Sequence, residues 1–166
     1  SDTTELKKLE LKGVGSSTCV KNNYIFQDKP QILKIQLVDV ISFMCEHSVD
    51  QIDLLKVNIE GGEYDLFPRL IDSKRIKDIK FIQVQFHEIS QDVVKKIKQN
   101  SNFLFVDPQG FLGQKDSENN VFLQKTDLDL ANVDAIKINP EEGQNIVDGS
   151  HDEMMLALQK KGIEHV

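Results

Sequence analysis

The chain is 166 residues long, 39% hydrophobic and 28% charged, which suits one domain with a real core and excludes a disordered chain or two full catalytic domains. Lysine and arginine number 20 against 27 aspartates and glutamates, a net charge of −7. The densest basic run, Lys74 to Lys80, is short and interrupted by Asp78, so a nucleic-acid backbone is disfavoured as a partner. No stretch is long and apolar enough to span a bilayer, and Cys19 and Cys45 have neither a disulfide-framework nor a zinc-ligand spacing. The opening residues, Ser1 to Glu5, show no basic segment leading into an apolar one, and the cytoplasm is the expected compartment.

Leu6 to Lys12 alternates apolar and charged residues, the pattern of a half-exposed strand. Gly13 to Thr18 follows as a loop of glycines and hydroxyls, without the helix that a phosphate-binding loop needs. Ile32 to Leu37 alternates again, and Val38 to Glu46 places apolar residues at helical spacing. Ile52 to Ile59 is then an apolar run of the kind buried on both faces of a sheet, ending in Asn58, Glu60, Gly61-Gly62 and Glu63. The two glycines permit a sharp turn into a helix over Tyr64 to Asp72, and a further strand is expected over Phe81 to His87. These are repeated β-α-β units with right-handed crossovers. The fold class they predict is α/β, a Rossmann-like layered fold with a mainly parallel sheet flanked by helices. Ligands of such sheets bind outside the carboxyl ends of the strands, which makes Asn58, Glu60 and Glu63 candidate binding residues. Glu63 also suits a purely structural place at a helix start, favoured by the helix dipole.

Beyond Ser90, Phe103 to Phe111 reads as a strand stopped by Pro108 and Gly110, and Val133 to Glu142 as a strand feeding a helix. Asn139, with Pro140 next and Glu142 three residues on, is a capping-box spacing. Ser150 and Glu153 repeat it, and Met154, Leu158 and Lys161 continue at helical spacing up to Gly162.

Two resemblances divide the chain. Leu54-Leu55-Lys56-Val57-Asn58-Ile59-Glu60-Gly61-Gly62-Glu63-Tyr64, with Phe81 to His87 as the following strand, resembles the signature of FkbM-type methyltransferases. That resemblance implies S-adenosylmethionine as cofactor and a binding role for Asn58, Glu60 and Glu63, with Asn58 standing where the family usually carries Asp. The glycine-rich turn and the acidic residue by which Rossmann-type methyltransferases hold the methyl donor are not legible in this sequence. Phe103 to Phe111 and Val133 to Glu142 together resemble the middle of PfkB-type (ribokinase-like) carbohydrate and nucleoside kinases. There an Asn-x-x-Glu motif organises magnesium and phosphate, which implies Asn139 and Glu142 as binding residues, Glu142 as a Mg ligand, and ATP as cosubstrate. No Gly-Ala-Gly-Asp stretch, the family's anion-binding turn and base, occurs in the sequence.

The expected organisation is a methyltransferase-like segment over residues 1–90 and a kinase-like segment over 91–166, each incomplete, with strands able to share one sheet. Residues 1–90 hold 12 basic and 14 acidic groups, and residues 91–166 hold 8 and 13, a modest charge shift at the junction. Strand edges that each parent normally pairs would be open to self-association. The function this implies is an FkbM-type methyltransferase-like protein lacking its methyl-donor turn. The alternatives are a kinase-like protein without its base and a folded, non-catalytic interaction protein.

Overall fold

The structure, a computed structural model, describes residues 3–8, 16–17, 31–59, 61–86, 91–108, 112–115, 121–123, 131 and 133–163. Strands β1 (Thr3–Lys8), β2 (Ser16–Ser17) and β3 (Gln31–Gln36) form one antiparallel sheet in the order β2-β1-β3. Helix α1 (Val40–Glu46) follows. Its cap Asp39 accepts hydrogen bonds from the Ser42 backbone at 2.9 Å and from Arg69 Nε at 2.7 Å.

The second sheet begins with β4 (Ile52–Val57), continues through α2 (Glu63–Asp72), a 3-10 turn at Arg75–Asp78, β5 (Ile79–Gln85), α3 (Gln91–Asn100) and β6 (Leu104–Asp107). A short hairpin, β7 (Gly113–Lys115) and β8 (Val121–Leu123), separates β6 from β9 (Ala135–Ile136). Helices α4 (Pro140–Gln144) and α5 (His151–Lys160) close the order. Strands β4, β5, β6 and β9 are all parallel and lie side by side in chain order. The chain is therefore α/β and layered, with a four-stranded parallel sheet and five helices among the described residues.

A parallel sheet that grows in one direction through right-handed crossovers puts successive helices on one face, and α2 indeed packs against both α1 and α3. That face holds the core. Val57, Ile82, Val84, Leu104, Val106 and Ile136 belong to one buried cluster with Met44 of α1, Phe67 and Leu70 of α2, and Val94 and Ile97 of α3. Side chains alternate along a strand, so Leu54 and Phe81 belong to the opposite face. They are 56% and 39% exposed there, whereas Val133 and Ala135, towards the β9 end, are buried.

Three expectations are adjusted by this arrangement. The strand over Ile32 to Leu37 forms, but it pairs antiparallel with β1, so among the described residues the first β-α-β unit runs from β4 to β5. The first alternating strand begins before Leu6, at Thr3–Lys8, and residues 9–12 of the expected Leu6 to Lys12 strand lie outside the described residues. The central strand ends at Val57, and its helix begins one residue early at Glu63, because that carboxylate folds back onto the turn. Glu60, His87, the junction at Ser90 and most of the Gly13 to Thr18 loop lie outside the described residues. No helix among the described residues is long and apolar enough to cross a membrane.

Candidate functional site

The carboxyl edge of the parallel sheet gathers polar side chains from all four strands. Val57 pairs with Val84, Val84 with Val106, and Val106 with Ile136, so the residues that follow, Asn58, Gln85, Asp107 and Lys137, stand at one level. Neighbours at one level in a parallel sheet share a face, and the hydrogen bonds agree. Asn58 Nδ2 donates to Gln85 Oε1 at 3.1 Å, and Lys137 Nζ donates to Asp107 Oδ2 at 2.9 Å. Lys137 is itself held by its backbone N–H, which donates to the Val106 carbonyl at 3.0 Å.

Exposure divides the row. Asn58 is exposed and Gln85 half-buried, while the Asp107 side chain is only 10% exposed and that of Lys137 is 67% exposed. A carboxylate withdrawn from water needs a partner, and Lys137 provides one. The hydrogen bond to Asp107, that residue's charge and a smaller contribution from Glu142 make the Lys137 ammonium hold its proton more tightly than usual.

Glu63 has a different place. It is wholly buried, and its two carboxylate oxygens accept from the backbone N–H groups of Ile59 and Gly61, each at 2.9 Å. Gly61 adopts φ 104°, a conformation that favours glycine. At Gly62 a Cβ would lie 3.0 Å from the Ile59 side chain. The wording Gly61-Gly62-Glu63 thus builds a closed turn: one glycine supplies the left-handed step, the other the close approach, and the buried carboxylate satisfies backbone donors in the bend.

Asn139 and Glu142 form the capping box that their spacing predicts. Asn139 Oδ1 accepts from Glu142 N at 2.8 Å, and Glu142 Oε2 accepts from Asn139 N at 3.0 Å. Ser150 and Glu153 do the same at α5. Among the described residues no three or more His, Cys, Asp or Glu side chains converge as a metal site would require.

Of the residues singled out in the sequence, Asn58 reaches the edge row, Glu63 builds the turn beside it, and Asn139 and Glu142 lie two and five residues beyond Lys137. Gln85, Asp107 and Lys137 were not singled out. A common signal was present: at the carboxyl end of each strand of this sheet a buried β-branched residue is followed by a polar one, Val57-Asn58, Val84-Gln85, Val106-Asp107 and Ile136-Lys137. Fold and edge together define an α/β protein with a parallel sheet and a polar carboxyl edge. Compared with protein-family models, curated proteins and solved structures, the chain matches none.

Proposed function

We propose that this chain is an FkbM-type methyltransferase-like protein that keeps the strand-end portion of the site and does not by itself turn over. The observation that carries the reading is the turn after β4, where the signature residues 54–59 and 61–64 form strand, turn and helix start, closed by the buried Glu63 carboxylate. Such a turn brings the end of β4 to the edge where α/β sheets bind ligands. Methyl transfer depends on holding donor and acceptor in line. A chain with no legible glycine-rich turn and no acidic partner for the donor lacks the means to do so.

The expected outcome of titrating the whole chain calorimetrically with S-adenosylmethionine is binding no tighter than millimolar, about −4 kcal/mol. Micromolar or tighter binding would show that the missing strands are not required for the cofactor and would revive the reading of the chain as an enzyme. The PfkB-type reading, with Mg and ATP at Asn139 and Glu142, ranks second, because both side chains are occupied in closing the capping box. A third reading, a non-catalytic interaction protein or self-associating chain, is favoured by the exposed Leu54 and Phe81 on the open sheet face.

A further inference from the structure

Two features coincide at β4: it is an edge strand, and its middle side chain on the open face is apolar. Among the described residues Ile52–Val57 pairs with β5 alone, and no further hydrogen bond reaches it, so one side of its backbone presents unmet donors and acceptors. Edge strands are ordinarily protected by shortness, by proline or by a covering element. Strand β9, at the opposite edge, is two residues long, whereas β4 runs for six and contains no proline. Beside that edge Leu54 is 56% exposed. We propose that β4 is the docking edge for a second copy of this chain, the two β4 strands pairing antiparallel across a twofold axis so that the parallel sheets of both copies join into one. The proposal rests on the self-associating reading of the chain and gives it an edge, a partner and a register.

The side chains of β4 choose the axis. Directly opposed residues of an antiparallel pair share a face, so a twofold perpendicular to the sheet sets one residue against its own copy. An axis at Asp53 or Lys56 would oppose like charges, which is destabilising, and an axis at Leu55 would oppose Leu54 to Lys56. Axes nearer the strand ends pair fewer residues. An axis at Leu54 opposes Leu54 to Leu54, Asp53 to Leu55 and Ile52 to Lys56, with no like-charge pair. Because Leu54 pairs with Phe81 within each copy, this register carries one apolar strip from Phe81 through both Leu54 side chains to the second Phe81. Stacking the open faces fits less well. Phe81 already has the Phe103 ring at 5.5 Å and the Lys80 ammonium 5.1 Å from its centroid, and Lys56, on the same face as Leu54, would be withdrawn from water at a cost. Strand β3 also has an open side and is the rival occupant within the chain.

The test is sedimentation equilibrium of the full chain up to millimolar concentration, with hydrogen exchange of the β4 backbone amides followed over the same range. The expected result is a reversible equilibrium between monomer and dimer, with the outward amides of Ile52–Val57 exchanging more slowly as dimer forms. Leu54→Lys places like charges at the axis and should weaken the dimer about tenfold or more while circular dichroism stays unchanged. Phe81→Ser, one strand in from the edge, should weaken it by a smaller factor. Should Leu54→Lys fail to fold, the concentration dependence of β4 exchange in the unaltered chain decides alone. The proposal is overturned if the chain stays monomeric, if association is open-ended rather than closed at the dimer, or if folded Leu54→Lys associates unchanged. It is also overturned by a dimer that Phe81→Ser abolishes and that leaves β4 exchange unaltered, which would be a stack of open faces and would keep the self-associating reading. Protection of the β4 amides that does not vary with concentration would overturn it too and assign the edge to β3. Whether S-adenosylmethionine binds affects none of these outcomes.

Discussion

At Gly143 a methyl group would overlap the Met154 sulfur and lie 2.7 Å from its terminal carbon, because α4 and α5 meet there and Met154 is 2% exposed. Replacing a helical glycine with alanine ordinarily gains about 1 kcal/mol of helix propensity, whereas overpacking a tight core costs about 1–3 kcal/mol. The overlap should win. Gly143→Ala is expected to lower stability in urea unfolding by up to about 2 kcal/mol net. Adding Met154→Ala should cost less than the two single changes summed, since it removes the atoms in the way. An additive result would show that the helices shift apart instead. Glu63 illustrates how far a single residue was legible: its place at a helix start followed from spacing, but its complete burial did not. Burial depends on both oxygens finding backbone donors at Ile59 and Gly61, a three-dimensional closure that no periodicity encodes.

Helix starts were the most legible elements, because a capping box is a local pattern of side chain and backbone four residues long. Both α4 and α5 carry one, at the positions the spacing predicts. The same locality gives a means of separating cap from metal ligand at Glu142. As a cap, Glu142→Ala should cost about 0.5–2 kcal/mol and the loss should be equal with and without magnesium and ATP. A ligand-induced rise in melting temperature that the substitution abolishes would instead assign Glu142 to the metal. Helix α1 offers a pH test. The hydrogen bond from Arg69 and that from the Ser42 backbone hold the Asp39 carboxyl well below the usual carboxylate range. A depressed folded-state pKa contributes stability that is present above the ordinary carboxylate range and lost as pH falls through the folded value. Asp39→Asn is therefore expected to melt lower than the parent at neutral pH, the difference closing as pH falls below that range. High salt should shrink the difference, the pair being solvent-exposed. A gap that persists at low pH would assign the effect to the lost geometry of the cap. Strand pairing was the least legible: Gln31–Gln36 and Ile52–Val57 both read as strands, yet the first pairs antiparallel with β1. Alternation fixes which face a residue takes, not which strand it meets.

At the scale of the whole molecule, the change of resemblance near Ser90 does not coincide with a change of sheet. Strand β5, from before that point, pairs parallel with β6, from after it, over Ile82 to Gln85 and Leu104 to Asp107. Further contacts cross the same line: Ile82 N donates to Phe103 O at 3.0 Å, Asn102 Nδ2 donates to Ile79 O at 3.0 Å, and the Phe81 and Phe103 rings meet edge to face with centroids 5.5 Å apart. Beneath them one cluster holds Ile82 and Val84 together with Leu104, Val106 and Ile136. Separating the segments would expose those side chains, at about 1.5–3 kcal/mol for each fully buried Val, Leu or Ile. That sum is comparable with the whole stability of a small domain, so the two segments should unfold as one cooperative unit. Native-state hydrogen exchange on the intact chain checks this at three amides of the shared sheet. Ile82 donates to Phe103, Asp134 to Leu104 and Lys137 to Val106, so the first bond crosses the junction and the other two lie wholly beyond it. With rising urea, the opening free energies at the three amides should converge on one value and fall with one slope, as for a single global transition. If Ile82, Asp134 and Lys137 instead open together at a low free energy with a small urea slope while Val49, whose N–H donates to Met44 O wholly before the junction, stays protected to a higher one, the segment after Ser90 docks on the first rather than sharing its core.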